Sequence, residues 1–308
     1  MHGSFPNTAN KPSIVPVITA DALRSAIRAG ELLREVRSYG SSLPRGLRGH
    51  SSVALLHAEL VRLRGLGDLV TPVSTTGETR QRLRRLDALF ALLPPETTLV
   101  QVAQNARVSM GEPGLSPSLR GQLTTADERD LQAMDKKVVG LFADQLQTAL
   151  VTLQHESADW RLLEHSGLAN RLIADHGFAN TYGQARKCAR GLIKAQAHSG
   201  KGVPRLGELK VLGRWHASVE VQLRALARAG ALHSELEQLS QQVAVFGGQL
   251  TDRLALMRLR RVSGIDKDWK ARLAERLEGQ TAELLVSLQQ IYGLSKTNFR
   301  AFIVSELA

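Results

Sequence analysis

Apolar side chains recur at spacings of three and four residues along almost the whole 308-residue chain. That spacing lines up apolar side chains on one face of an α-helix, and no segment shows the alternation typical of a β-strand. Aromatic residues make up only 4% of the chain, so these faces are mainly aliphatic. The pattern predicts an all-α fold, a multi-helix bundle in two lobes with two long amphipathic helices.

The helical pattern and its interruptions predict four parts. Helix breakers favour a linker at 111–124 between an N-terminal lobe, 20–110, and a C-terminal bundle, 125–308. Residues 1–19 contain no acidic residue and are rich in Ser, Thr, Asn and Pro, which indicates a flexible tail or, as an alternative, an export signal. The predicted helices cover 20–38, 52–66, 79–93, 98–109, 126–163, 167–175, 181–197, 207–246, 249–261, 267–292 and 296–307.

Two of these helices are long and carry continuous apolar stripes. The first begins at a capping box, residues 125–128, which can satisfy the amide groups of its first turn. The second follows a coiled-coil heptad frame from Leu212, with a bend or break expected at Gly247-Gly248. Because Gln222 and other polar residues interrupt its seam, an intramolecular bundle is favoured over a dimeric coiled coil.

The chain is strongly basic, with a net charge of +11 and a pI near 10.3. Such an excess favours polyanionic partners, nucleic acid above all. It is concentrated between 176 and 207, where six Lys and Arg occur without any Asp or Glu. Arg186, Arg190 and Lys194 are four residues apart and therefore share a helix face.

This basic segment resembles a helix-turn-helix unit at 167–197. A short helix, a turn at Gly177 and a second helix would place 181–197 in the major groove of duplex DNA. Gly183 departs from the pattern because it weakens the recognition helix. The predicted base-edge contacts are Asn180, Thr181, Tyr182 and Gln184. The predicted phosphate contacts are Arg186, Lys187, Arg190 and Lys194. Further predicted nucleic-acid-binding residues are Arg171, Lys201 and Arg205.

A second stretch, 98–109, is similar to the opening of the DNA-reading domain in lactose-repressor-type regulators. Arg107 stands where that family has a glycine, and residues 110–114 cannot form the recognition helix that should follow. Two further Arg clusters, at 80–85 and 253–261, would enlarge the basic surface if folding brought them beside it.

Catalytic and metal-binding motifs are absent from the sequence. It has no phosphate-binding loop, dinucleotide turn or zinc-protease motif, and so predicts neither an enzyme nor a cofactor. His155 and its acidic neighbours, spread over several helix faces, are predicted to be surface residues rather than metal ligands. His57, His216 and His233 are expected at helix interfaces. The single cysteine, Cys188, is expected in the core of a protein from a reducing compartment.

The sequence thus favours a cytoplasmic helical accessory or regulatory protein that binds nucleic acid, most simply duplex DNA, or another polyanion. The long helices would serve a homodimer or a protein partner, and no membrane span is expected. The alternative is a helical interaction protein, an adaptor or exported effector, that binds no nucleic acid. The nucleic-acid hypothesis predicts an exposed basic face, whereas the alternative predicts a basic face paired with internal carboxylates such as Asp175 or Glu208.

Overall fold

The computed structural model describes residues 14–39, 48–70, 98–137, 172–199, 203–230 and 234–307, together with 81, 148, 151 and 155. These residues form helices and contain no strand, which confirms the all-α class. The helices are α1 (Val15–Tyr39), α2 (Arg48–Val70), α3 (Leu99–Ser109), α4 (Pro117–Lys137), α5 (Ala179–Ser199), α6 (Leu206–Arg228), α7 (Ser234–Leu259), α8 (Lys267–Ile291) and α9 (Lys296–Leu307). The predicted helix at 79–93 and the second half of that at 126–163 lie outside the described residues.

Helix α6 runs through the main core and contacts α1, α2, α5 and α7. Its apolar stripe, including Leu212, Val219 and Leu226, is buried by these neighbours. The stripe is therefore covered within the chain, which confirms the helical bundle. Among the described helices, none is both long and apolar enough to cross a membrane.

Two clusters of buried side chains in the described part of the chain are connected through α7 and α8, which contribute to both. The main cluster draws on α1, α2 and α5–α9. The second contains α3, α4 and the facing ends of α7 and α8, with Trp269 and Leu273 fully buried. Residues on both sides of the predicted 111–124 linker contribute to each cluster.

The long helix predicted at 207–246 ends earlier, at Arg228. Gly230 has φ 70°, in the left-handed region where glycine is favoured, and it follows the last turn of α6. The break expected at Gly247-Gly248 is wrong, because both residues lie inside α7. A Cβ on Gly247 would lie 3.0 Å from the Glu220 carboxylate, so this glycine serves the close packing of α7 on α6.

The start of α4 also differs from the prediction. Pro117, with its preset φ, opens the helix, and the Leu119 amide donates to Ser116 Oγ at 3.3 Å. Thr125 is a mid-helix residue whose hydroxyl donates to the Gly121 carbonyl at 3.0 Å, so the capping box at 125–128 is wrong. Residues 117–124 of the predicted linker are helical.

Asp127 caps a neighbouring helix rather than its own. Its side chain is buried, and both carboxylate oxygens accept the Leu99 amide of α3 at 2.9 Å. A carboxylate at this position also complements the positive amino-terminal end of the α3 dipole.

Asp127→Ala is expected to destabilise the protein by about 1–2 kcal/mol, since it removes this cap and leaves a buried amide unpaired. Amide hydrogen exchange should accelerate at Leu99 and along the first turn of α3. Glu128→Ala removes the same charge one residue away and is the matched control. Equal exchange rates at Leu99 in the two variants would contradict the capping role.

Arg107, the departure from the repressor-like pattern, holds the segment after α3 in place. Its guanidinium lies 5.0 Å from the centre of the Trp269 ring and donates to the Pro113 and Gly114 carbonyls. Residues 110–116 are not helical, in agreement with the prediction that no recognition helix follows directly. Arg107 thus supports the second core.

Candidate nucleic-acid interface

The predicted turn at Gly177 is a continuous helix. Residues 172–199 are helical throughout, and Ile173–Phe178 forms a π-helical turn that runs directly into α5. A Cβ on Gly177 would lie 2.5 Å from the Leu69 carbonyl oxygen of α2. This glycine therefore permits a close helix crossing, and the helix-turn-helix prediction is wrong at its turn.

Two predicted base-edge residues are buried. Thr181 accepts a hydrogen bond from Gln222 Nε2 at 2.9 Å, and its own hydroxyl donates to the Gly177 carbonyl. Tyr182 donates to the Ile291 carbonyl at 3.0 Å, and burial raises its pKa to about 12, although nearby Arg186 opposes that rise. Placing Thr181 and Tyr182 at base edges is wrong, because both are inside the core.

The remaining predicted contacts on α5 lie at the surface. Asn180, Gln184, Lys187, Arg190 and Lys194 are exposed, and Arg186 is half-buried. The four cations, with Gly183 and Gly191, line an open groove of about 440 Å³. The two glycines have no side chain to fill this face of the helix, so the side chains of the four cations form the walls of the groove. We call Arg186, Lys187, Arg190 and Lys194 the basic row.

The basic row is not neutralised within the described part of the chain. The Asp175 carboxylate forms a salt bridge with Arg300 of α9 at 3.0 Å, and the Glu208 carboxylate accepts a hydrogen bond from the main-chain amide of Arg205 at 3.1 Å. These are the two carboxylates that the sequence offered as internal partners. No ion pair of the described residues involves a cation of the basic row.

Helix α9 adds a cation that sequence reasoning missed. Lys296 lies across α5, with its Cδ 3.1 Å from where a Cβ of Gly183 would stand. Its ammonium donates to Asn180 Oδ1 at 2.6 Å. Gly183, which weakened the helix-turn-helix match, thus leaves the space in which the Lys296 side chain packs on α5. No local signal links residues so far apart in sequence.

Comparison with protein-family models, curated proteins and solved structures finds no match. Guanidinium and ammonium groups are the side chains that form charge-assisted hydrogen bonds with phosphate groups.

The other predicted basic residues are distributed differently. Arg205 is exposed at the start of α6, and Arg171 and Lys201 lie outside the described residues, as does the 80–85 cluster apart from Gln81. Arg258 pairs with Asp130 at 3.1 Å. Neither Arg205 nor Arg258 lines the groove on α5.

Arg253, the first residue of the 253–261 cluster, is part of the protein interior. Its guanidinium donates to the Gln280 carbonyl at 2.8 Å and to Thr281 Oγ1 at 2.6 Å, joining α7 to α8. Burial lowers its pKa to about 10, although Glu283 opposes that shift. It does not contribute to a basic surface.

Cys188 is half-buried against the main core, where burial raises the pKa of its thiol. The described residues contain no group of three His, Cys, Asp or Glu side chains placed to hold a metal ion. His155 is exposed, and the residues considered with it lie outside the described residues: Glu156, Asp159, Glu164 and His165.

A second groove, of about 330 Å³, lies between α7 and α8 and is uncharged. Val245 in its lining, and Val286 next to the lining residue Ser287 in sequence, are 65% and 53% exposed, unusual values for valine on a bundle. Its lining is rich in glutamine: Gln238, Gln241, Gln242, Gln249 and Gln290. Low charge with exposed aliphatic groups is typical of protein interfaces.

Proposed function

We propose that this chain is a nucleic-acid-binding accessory or regulatory protein that holds the phosphate backbone along α5. The observation that carries the proposal is the basic row: four cations on one exposed helix face, lining one groove, none in an ion pair within the described residues. Arg186 adds a buried Nε without a hydrogen-bond partner in the described part of the chain. Such a face gains binding energy by releasing counterions from a polyanion.

The contacts are expected to be with the backbone rather than with bases. Of the four predicted base-edge residues, Thr181 and Tyr182 are buried, and Asn180 is engaged by Lys296. No aromatic side chain lines the groove among the described residues, so it offers no stacking platform for single-stranded bases. Binding should therefore depend little on sequence and strongly on salt.

Fluorescence anisotropy with random-sequence duplex DNA, from low to physiological salt, tests this function. The triple variant Arg186→Ala/Arg190→Ala/Lys194→Ala should lose most of the binding, and the slope of log K against log salt should become shallower by about 3. The matched control is Arg260→Ala/Arg261→Ala/Lys267→Ala, which removes three exposed cations outside the groove. Absence of wild-type binding at low salt, or equal losses in both variants, would contradict the proposal.

The second candidate function is a helical adaptor that binds a protein partner or a second copy through the groove between α7 and α8. The uncharged lining and the exposed Val245 and Val286 favour it. An adaptor of this kind would show no salt-dependent DNA binding in the same titration. Val245→Glu would then abolish partner capture or self-association measured by light scattering.

A further inference from the structure

We infer that the ligand of this site is a linear phosphate chain that lies along α5 and continues onto α9, with Lys296 as a further binding residue. This inference rests on the proposed function and deepens it. It specifies a ligand shape, an extended chain rather than a compact phosphate group. It also assigns a role to a residue that no sequence pattern indicates.

Lys296 lies in line with the basic row. Gly183 and the four cations of the basic row fall within about 100° of one another around the helix axis at about 100° per residue. Lys296 crosses α5 at Gly183 and places its ammonium on Asn180, at the amino-terminal end of that line. The Asn180 amide carries no charge, so this hydrogen bond orients the ammonium without neutralising it.

The position of Lys296 is fixed by the packing of α9. The ring of Phe299 stacks on Tyr182 of α5 with centroids 3.8 Å apart, and both rings are buried. Arg300 of α9 is held by Asp175 at 3.0 Å, just before α5. These two anchors lie three and four residues beyond Lys296. The cation is therefore preorganised, which lowers the entropic cost of using it.

The length of the row sets the shape of the ligand. From Asn180 to Lys194 the helix rises about 21 Å, at about 1.5 Å per residue. A single phosphate group can reach only neighbouring cations of such a row. A strand with one charge per about 3.4 Å of rise covers the row with about six nucleotides. Linear inorganic polyphosphate presents the same chemistry without sugars or bases.

The experiment measures affinity against chain length, at one low salt concentration. Labelled oligothymidylates from a dinucleotide to a hexadecamer are titrated with the wild-type protein. Inorganic polyphosphate of matched phosphate number, and pyrophosphate, serve as competitors. Affinity should rise steeply up to about six to eight nucleotides and then increase only slowly. Stronger competition by polyphosphate than by oligothymidylate would assign the inorganic chain, and the reverse would assign nucleic acid; either supports a linear ligand.

Lys296→Ala should weaken binding of the long oligothymidylate and make its salt slope shallower by about 0.7, the value for one contact on a single strand. Lys296→Arg should restore the slope. Lys267→Ala is the control, because it removes an exposed lysine at the first residue of α8, a helix that rises about 36 Å before its other end leads to α9. Circular dichroism confirms that each variant is folded.

The outcomes separate this inference from the proposed function. Affinity independent of chain length, or Lys296→Ala equal to wild type while the basic-row triple variant loses binding, would overturn the linear ligand and leave the proposed function intact. Chain-length-dependent binding of polyphosphate with no binding of any nucleic acid would overturn the proposed function and retain the inference. No binding of any polyanion would overturn both.

Discussion

Gly177→Ala is expected to lower the stability of the protein by about 3 kcal/mol, seen as a lower midpoint of urea unfolding. The added Cβ would lie 2.5 Å from the Leu69 carbonyl oxygen and 2.9 Å from its Cα. Both atoms belong to the backbone of α2, so no side-chain rotation can relieve the clash. The π-helical turn and α2 would have to separate. The expected loss of stability therefore lies at the upper end of the range for overpacked cores, about 1–3 kcal/mol.

Gly191→Ala in the same helical segment is the matched control. Gly191 is exposed on α5, and a Cβ there meets nothing within 4 Å. The variant should be more stable by about 0.5–1 kcal/mol, because alanine loses less conformational entropy than glycine in a helix. Equal effects of the two substitutions would contradict the role of Gly177 in the crossing of α2.

Local pattern was sufficient to predict the bounds of the last two helices. The bounds of α8 and α9 lie within one residue of the predicted 267–292 and 296–307. Helix breaks were less predictable, because a glycine can end a helix or permit a close contact. Gly230 does the first and Gly247 the second, and the choice depends on whether another helix lies alongside.

The basic row was visible in the sequence because four cations within one helix form a local pattern. The sequence did not show which of these side chains point to solvent and which point into the core. Tyr182 is polar and close to the row, yet it lies under α9, where Phe299 and the Ile291 carbonyl hold it. Lys296 was missed because its place on Gly183 arises only when α9 packs on α5. Packing between helices that are distant in sequence thus explains both the wrong placement of Tyr182 and the failure to identify Lys296.

The largest effect of pH on stability is expected from His216. This residue lies at a helix interface, as predicted. Its ring is buried between α6, α7 and the end of α8. Nε2 lies 2.7 Å from the Val243 carbonyl, which can only accept, so Nε2 carries the proton. Nδ1 therefore accepts from the Tyr292 hydroxyl, also at 2.7 Å. Burial lowers the pKa of His216 to about 4, opposed by the bond to Val243.

Stability should consequently fall as pH decreases from about 6.5 to about 4. In the unfolded chain His216 takes up a proton near its ordinary pKa of about 6.5, whereas in the folded protein it resists protonation until about 4. Its contribution is complete above pH 6.5, is lost progressively through this window and changes little below it. The difference corresponds to about 3 kcal/mol, measurable as the urea midpoint across that range.

His216→Gln isolates this effect from the carboxylates that titrate at the lower end of the window. A glutamine amide can donate to Val243 and accept from Tyr292 but does not titrate, so the variant should show a flatter pH profile by about 3 kcal/mol. His198→Gln, at an exposed position of α5, should retain the wild-type profile. An unchanged pH dependence in His216→Gln would show that the histidine is not held neutral in the fold, because only a depressed pKa links its protonation to unfolding.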